Sequence, residues 1–239
     1  MKKFDKRYSG IKTTFYKLQI DALKPTGRQI YNWIKSNRWE IKRKDILRKT
    51  YVKGRKRSKG IFSKFTNSFV FPIWTRPKYI DNRSEFGHWE MDLIIGKKEH
   101  GYENLITFQE RLTRMVVIER IKTKDPMKLN SKVYQLIKKN NLHVKSITID
   151  NGIEFSKNGL LAKWINCHVY YCEPYNSYQR GSNEHINGII RRFWKKWTDF
   201  SNLLNEEILD TQNKINQMPR EIFSRTSSLD LFKKNNLKY

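Results

Sequence analysis

Alanine is nearly absent from this chain: the 239 residues contain two, Ala22 and Ala162, against an abundance of Lys, Asn and Ile. An A+T-rich genome biases composition in that way, so part of the lysine excess has a bland origin. Cysteine is equally scarce. Cys167 and Cys172 flank a short apolar stretch, and their spacing matches neither a zinc pair nor a redox CxxC motif. They read as small strand or core residues in a reducing compartment. No stretch approaches the roughly 18 continuous apolar residues of a membrane span. The start, MKKFDKRYSG, is basic but has no apolar segment behind it, which excludes a secretion signal and points to an intracellular protein. Internal repeats and low-complexity tracts are missing too.

Acids are the next scarcity. Asp and Glu total 23 against 49 Lys and Arg, a formal charge of +26 and a sequence pI near 10.0. The partner implied is a polyanion, nucleic acid first and an anionic membrane surface second. The excess is uneven. Residues 1–80 carry 23 basic and 4 acidic side chains, whereas residues 81–239 carry 26 and 19. A genome-wide bias would not concentrate charge in one third of the chain. A basic N-terminal module followed by a near-balanced domain explains it better. At 38% hydrophobic and 13% aromatic, the composition can supply a core.

The N-terminal module has helical texture. Phe15, Leu18, Ile20 and Leu23 form a rough stripe, and the chain breaks at Lys24-Pro25-Thr26-Gly27. Ile30, Tyr31, Trp33 and Ile34 form a second stripe, with Thr26 placed to cap its helix. Helix, turn and basic helix outline a helix-turn-helix, whose second helix would offer Arg28, Lys35 and Arg38 to a DNA groove. An ordinary helical hairpin has the same outline. Residues 42–60, KRKDILRKTYVKGRKRSKG, read as an arm that follows a phosphate backbone through Arg55, Lys56 and Arg57, or as a solvated loop. Residues 66–87, with Pro72, Pro77, Asn67, Asn82 and Gly87, read as an irregular connector.

From residue 88 strands and helices alternate. Candidate strands cover 88–96, 103–109, 114–121, 144–150 and 168–172. Helices fit 126–140 (Leu129, Val133, Leu136 and Ile137 on one face), 159–165, 183–197 and 203–217. Ile186, Ile189, Ile190, Phe193, Trp194 and Trp197 would form the core face of the third of these. Three strands able to pair as hairpins, then helix, strand, helix, strand, helix, imply a mixed α/β sheet with helices on both faces.

Three acids stand in apolar settings. Asp92 lies inside the first strand, Asp150 ends the fourth, and Glu184 opens the 183–197 helix. Each has an ordinary reading. Asp92 fits a solvent face, Asp150 before Asn151-Gly152 fits a turn, and Glu184 suits a helix N-terminus. Taken in order, they can instead converge at one edge of a sheet. Three carboxylates share a site only if cations neutralise them. Hard oxygen ligands suit Mg²⁺ or Mn²⁺, and two such ions about 4 Å apart are a standard device for attack on a phosphodiester.

The stretches GHWEMDLIIG (87–96), TIDNGIEF (148–155) and PYNSYQRGSNEHINGIIRRFW (174–194) resemble the three acidic motifs of DDE transposases, specifically the insertion-sequence-30 family. The segment 215–232, with its Asn-x-x-Pro-Arg run, also resembles that family's end. The resemblance covers about residues 85–235. It implies a ribonuclease H-like fold with a five-stranded mixed sheet, and assigns a catalytic, metal-binding triad to Asp92, Asp150 and Glu184 with two Mg²⁺ or Mn²⁺ ions. The activity implied is cleavage at transposon ends and strand transfer into target DNA, with no covalent protein–DNA intermediate and no small-molecule cofactor. The partner implied is double-stranded DNA. Synapsis of two ends implies a homodimer or larger assembly, working on nucleoid DNA in a bacterial cytoplasm.

The domains expected are a basic helical region over 1–60, a linker over 61–84 and the catalytic core over 85–239. Supporting candidates are Glu90 for an outer-shell water, Asn151 and Gly152 for the turn that aims Asp150, and Gln179, Arg180 and Asn183 for phosphate. Arg191 and Arg192 could reach the DNA backbone. His88 and His185 fit packing or hydrogen-bonding roles. Against the family pattern the N-terminal region is short, with only GRQIYNWIKSNRW (27–39) resembling its recognition helix. Trp194-Lys195-Lys196-Trp197 stands where a Pro-Lys-Gly turn is usual. The rival readings are a truncated DNA-binding remnant and a nuclease of the same fold.

Overall fold

A computed structural model of the protein describes residues 25–38, 69–97, 103–173 and 177–237. Among these, helix α1 (Gly27–Lys35) starts as expected. Thr26 Oγ1 accepts from the Gln29 N–H, and Gln29 Oε1 accepts from the Thr26 N–H, a reciprocal capping box. Arg28, Lys35 and Arg38 are exposed, while Ile30 and Ile34 are buried. The preceding half of the expected helix-turn-helix and the basic arm with Arg55, Lys56 and Arg57 lie outside the described residues.

Six strands form one sheet: β1 (Val70–Pro72), β2 (His88–Ile95), β3 (Asn104–Glu110), β4 (Val116–Ile121), β5 (Ser146–Ile149) and β6 (His168–Tyr171). Their order is β1-β6-β5-β2-β3-β4. β2, β3 and β4 pair antiparallel as consecutive hairpins, whereas β5 and β6 run parallel to β2 and β1 runs parallel to β6. The five strands expected from alternation are present. The sixth, β1, falls where an irregular connector was expected. Pro72 cannot donate to a ladder, so this strand can only be a short edge. The compact unit thus includes residues that the sequence assigned to a linker over 61–84.

Period-two alternation sorts β2 onto two faces. Trp89, Met91 and Leu93 enter a core with α2 (Pro126–Lys139), α3 (Asn158–Ile165) and Phe232 of α6 (Ser228–Asn236). The opposite face meets α4 (Gly181–Ile190) and α5 (Asn205–Asn216) in a second core of Ile94, Leu105, Val116, Ile118, Ile186, Ile190, Phe200 and Ile215. Helices therefore cover both faces. Cys167 and Cys172 are buried free thiols, and burial pushes both up to about 12.

The expected 183–197 helix is shorter. It ends at Ile190, and the chain folds back through turns. Arg191 Nη1 donates to the Lys195 carbonyl and Nη2 to the Ile95 carbonyl at 2.8 Å, fastening the return to the end of β2. Trp197 is consequently 61% exposed, not core, and its φ of 73° sits in the left-handed region. Among the described residues no helix is long and apolar enough to cross a membrane.

Candidate active site

Asp92 projects from β2 toward α4. Its Oδ1 accepts the Leu93 N–H at 2.8 Å, and its Oδ2 accepts from Asn187 Nδ2 at 2.9 Å. The Thr107 hydroxyl on β3 donates to Asn187 Oδ1 at 3.1 Å, so the amide cannot turn over without losing a bond. Asp150 follows β5 directly. Its Oδ1 accepts the Gly152 N–H at 2.8 Å, which closes the turn around the carboxylate. A Cβ at residue 152 would lie 2.9 Å from that Oδ1 and 2.8 Å from Glu154 Cδ, so a side chain there would push these carboxylates aside. Asn151 donates to the Cys172 carbonyl and ties the same turn to the end of β6.

The two acids converge on one cation. Arg180 Nη2 donates to Asp150 Oδ2 at 2.8 Å, and Nη1 lies 3.4 Å from Asp92 Oδ2. Burial raises the Asp92 carboxyl above the usual carboxylate range. The Arg180 charge works against that rise and the like charge of Asp150 adds to it. Burial also disfavours the Arg180 guanidinium, but the two carboxylates outweigh it and hold Arg180 above the ordinary arginine value.

Glu184 stands in the first turn of α4, exposed. Its neighbours fix where that turn lies. Glu90, two residues before Asp92 on the same strand face, is fully buried. Its Oε1 is ion-paired with Arg111, and its Oε2 accepts the Asn183 N–H at 3.1 Å. Glu90 is therefore no holder of an outer-shell water. Both oxygens are committed, and they anchor the start of α4 to β2. Sequence alternation revealed the shared face but not its depth, nor the approach of Arg111 from the β3–β4 turn.

The other supporting candidates divide. Gln179 turns back to Glu173, accepting that residue's N–H at 2.8 Å and donating to its carboxylate at 3.1 Å. The Asn183 side chain is buried and turned inward, away from any phosphate. His88 is buried between Ser146 Oγ and Glu85 Oε2, both at 2.7 Å, as a packing and hydrogen-bonding residue. Arg191 is occupied with the carbonyls noted above. His185 is exposed. Among the described residues no three His, Cys, Asp or Glu side chains form a ready metal-binding cluster.

Three antiparallel strands followed by two parallel ones, in the order β4-β3-β2-β5-β6, with acids brought together from β2 and the end of β5, define a ribonuclease H-like integrase-core fold. A chain of the cryo-electron-microscopy structure of the simian T-cell lymphotropic virus intasome in complex with PP2A regulatory subunit B56 gamma shares that fold. Its TM-score is 0.51 at 14% identity, over 94% of this chain and 70% of that one. No protein-family profile matches the sequence.

By sequence the chain is a homologue of insertion-sequence transposases, members of the insertion-sequence-30 family among them. It is 36% identical to the probable transposase of insertion-like sequence element IS1161 from Streptococcus salivarius, over 91% of this chain and 61% of that protein. It is 33% identical to transposase InsI of element IS30A from Escherichia coli (strain K12), over 63% of this chain and 39% of that protein. The chain spans less than two thirds of the length of either relative.

Proposed function

We propose that the protein is a transposase that cleaves DNA at transposon ends and joins the freed 3′-OH to target DNA, using Asp92, Asp150 and Glu184. The observation that carries this reading is the convergence of Asp92 and Asp150, from two neighbouring strands, on a single guanidinium. A guanidinium held between two hard-oxygen carboxylates marks a place built for positive charge. Mg²⁺ or Mn²⁺ fits that donor set, with Asp92 and Asp150 as holders and Glu184 of α4 as the third. When bound, a pair of such ions supplies Lewis acidity to the attacking and leaving oxygens of the phosphodiester.

The rest is the protein's own contribution. Asn187 and Thr107 fix the rotamer of Asp92. The Gly152 turn aims Asp150 outward from a buried strand. Glu90, through Asn183, fixes the turn from which Glu184 projects. The reaction is hydrolysis of one phosphodiester and attack of the resulting 3′-OH on another. Since neither step passes through a protein adduct, no Ser or Tyr nucleophile is required. Two ends brought together require at least two such sites, so the working form is a dimer or larger, acting on nucleoid DNA in the bacterial cytoplasm.

The test is incubation of the whole protein with end-labelled transposon-end DNA and Mg²⁺ or Mn²⁺. Nicked and joined products should appear, and Asp150→Asn should lose both by at least the two to three orders of magnitude typical of a lost electrostatic group. Tight binding without cleavage by the wild type would sink the reading. Hydrolysis without joining would mark a nuclease instead.

A further inference from the structure

The chemistry above leaves one set of charged side chains unused. Arg83 follows the single-turn helix Lys78–Asp81, Arg114 lies in the β3–β4 turn, Arg192 follows α4 and Arg220 follows α5. Four separate segments deliver them, Arg83 and Arg114 to α4 itself and Arg220 close enough to act on Arg114 and to be acted on by Arg192. Arg83 Nη2 donates to Ser182 Oγ at 2.9 Å, and Arg114 Nη1 donates to the same oxygen. Two cations thus share one neutral hydroxyl, two residues before Glu184. Arg83 and Arg114 both sit in left-handed backbone, at φ 56° and 62°. That conformation is uncommon for a residue other than glycine, and from it both side chains reach Ser182 of α4.

No acid pairs directly with these four arginines. Glu90 is committed to Arg111 and the Asn183 N–H. Glu110 accepts from the Gly87 N–H and from Thr113. Among the described residues none of the four arginines has a carboxylate partner in an ion pair. Buried N–H groups are left over as well. Arg83 Nε and Arg220 Nη2 have no hydrogen-bond partner, although Arg220 Nε donates to Ser228 Oγ at 2.8 Å. Burial, and then the neighbouring guanidiniums, pull Arg114 and Arg220 down to about 10, Arg83 acting on Arg114 against an opposing pull from the Glu90 carboxylate, and Arg192 acting on Arg220. Crowded, half-buried guanidiniums with unused donors lack a directly bonded anion.

We propose that Arg83, Arg114, Arg220 and Arg192 form a track for the phosphodiester backbone of DNA along α4, distinct from the acids that carry the chemistry. The proposal rests on the reading of DNA as substrate and adds the surface that seats it. Arginine suits this role because its planar fork donates two bonds to a phosphate at once. Four centres delivered from different segments suit an extended polyanion better than a single small ion. Phosphate contacts fix register without reading sequence.

Two measurements test it. Phenylglyoxal modification of the whole wild-type protein, read by mass spectrometry, should show these arginines protected by a DNA duplex and not by inorganic phosphate alone. Absence of protection by the duplex, or protection by phosphate alone, overturns the track. Fluorescence-anisotropy binding across a salt series then compares Arg114→Gln and Arg220→Gln with Arg114→Lys and Arg220→Lys. Each glutamine variant should lower the slope of log affinity against log salt by about 0.9, and each lysine variant should keep it. Unchanged slopes in folded glutamine variants overturn the proposal. A wild type that binds no duplex overturns the functional reading as well. A wild type that binds and cleaves duplex with these arginines unprotected overturns the track alone.

Discussion

At the scale of single residues, Arg180 is the informative side chain. The sequence suggested it as a phosphate contact because it lies just before Glu184. In the fold it faces inward, at 2.8 Å from Asp150 and 3.4 Å from Asp92. A guanidinium and a divalent ion would compete for the same carboxylates. Arg180→Ala removes the competitor and leaves two like charges side by side, with Asp92 already held above its ordinary range by burial. The variant should melt lower than the wild type without divalent ions. Added Mg²⁺ should then raise its melting temperature by more than it raises that of the wild type, since an ion that binds only the folded state stabilises it by mass action. Thermal melts with and without Mg²⁺ measure both effects. An equal or smaller Mg²⁺ response in Arg180→Ala would show that the guanidinium does not stand in an ion's place.

At the scale of elements, the sheet has to hide two edges. β4 is one of them, and α5 covers it with amides. Asn216 Oδ1 accepts the Val116 N–H at 2.9 Å, and its Nδ2 donates to the Val116 carbonyl at 2.8 Å. One turn earlier, Gln212 Oε1 accepts the Ile118 N–H at 2.7 Å. The side chains extend the ladder as a further strand would. Asn216 is the first residue of the Asn-x-x-Pro-Arg run, so that motif ties α5 to the sheet before Arg220 donates to Ser228 Oγ of α6. Asn216→Ala strands a buried N–H and C=O and should cost about 1–3 kcal/mol in urea unfolding, with the denaturant slope unchanged. A loss within error of zero would show that water replaces the amide. Strong patterns of this kind were legible in part. Alternation disclosed β2 to β6, and helical spacing disclosed the buried face of α2. β1 escaped because three residues ending in proline carry no period. The early end of α4 escaped because nothing local breaks that helix; Arg191 ends it by bonding to carbonyls of β2 and the return loop. The positions of Asp92 and Asp150 were suggested by their apolar surroundings, but Arg83, the turn that carries Arg111 and Arg114, and Arg220 lie far apart in the chain. Only the folded chain brings them close enough to act on one another.

At the scale of the whole molecule, the charge of +26 acts on two equilibria with opposite signs. Folding gathers like charges, so self-repulsion opposes it, and salt relieves that repulsion over the roughly 8–10 Å Debye length of physiological buffers. Binding to the proposed partner, DNA, would be favoured by the same charge through counterion release, so salt should weaken it. The buried pair Arg111–Glu90 and the Arg180 cluster are shielded from solvent and respond little. The exposed charge excess is what responds. Raising NaCl from about 50 to about 500 mM should therefore raise the melting temperature while lowering duplex affinity by several orders of magnitude, as expected when many phosphates are contacted. The two curves, taken by calorimetry and by anisotropy on one preparation, should slope in opposite directions. A melting temperature that falls with salt would mean that surface ion pairs outweigh repulsion. In that case the basic excess would be compensated within the protein itself, leaving less of it to attract a polyanion.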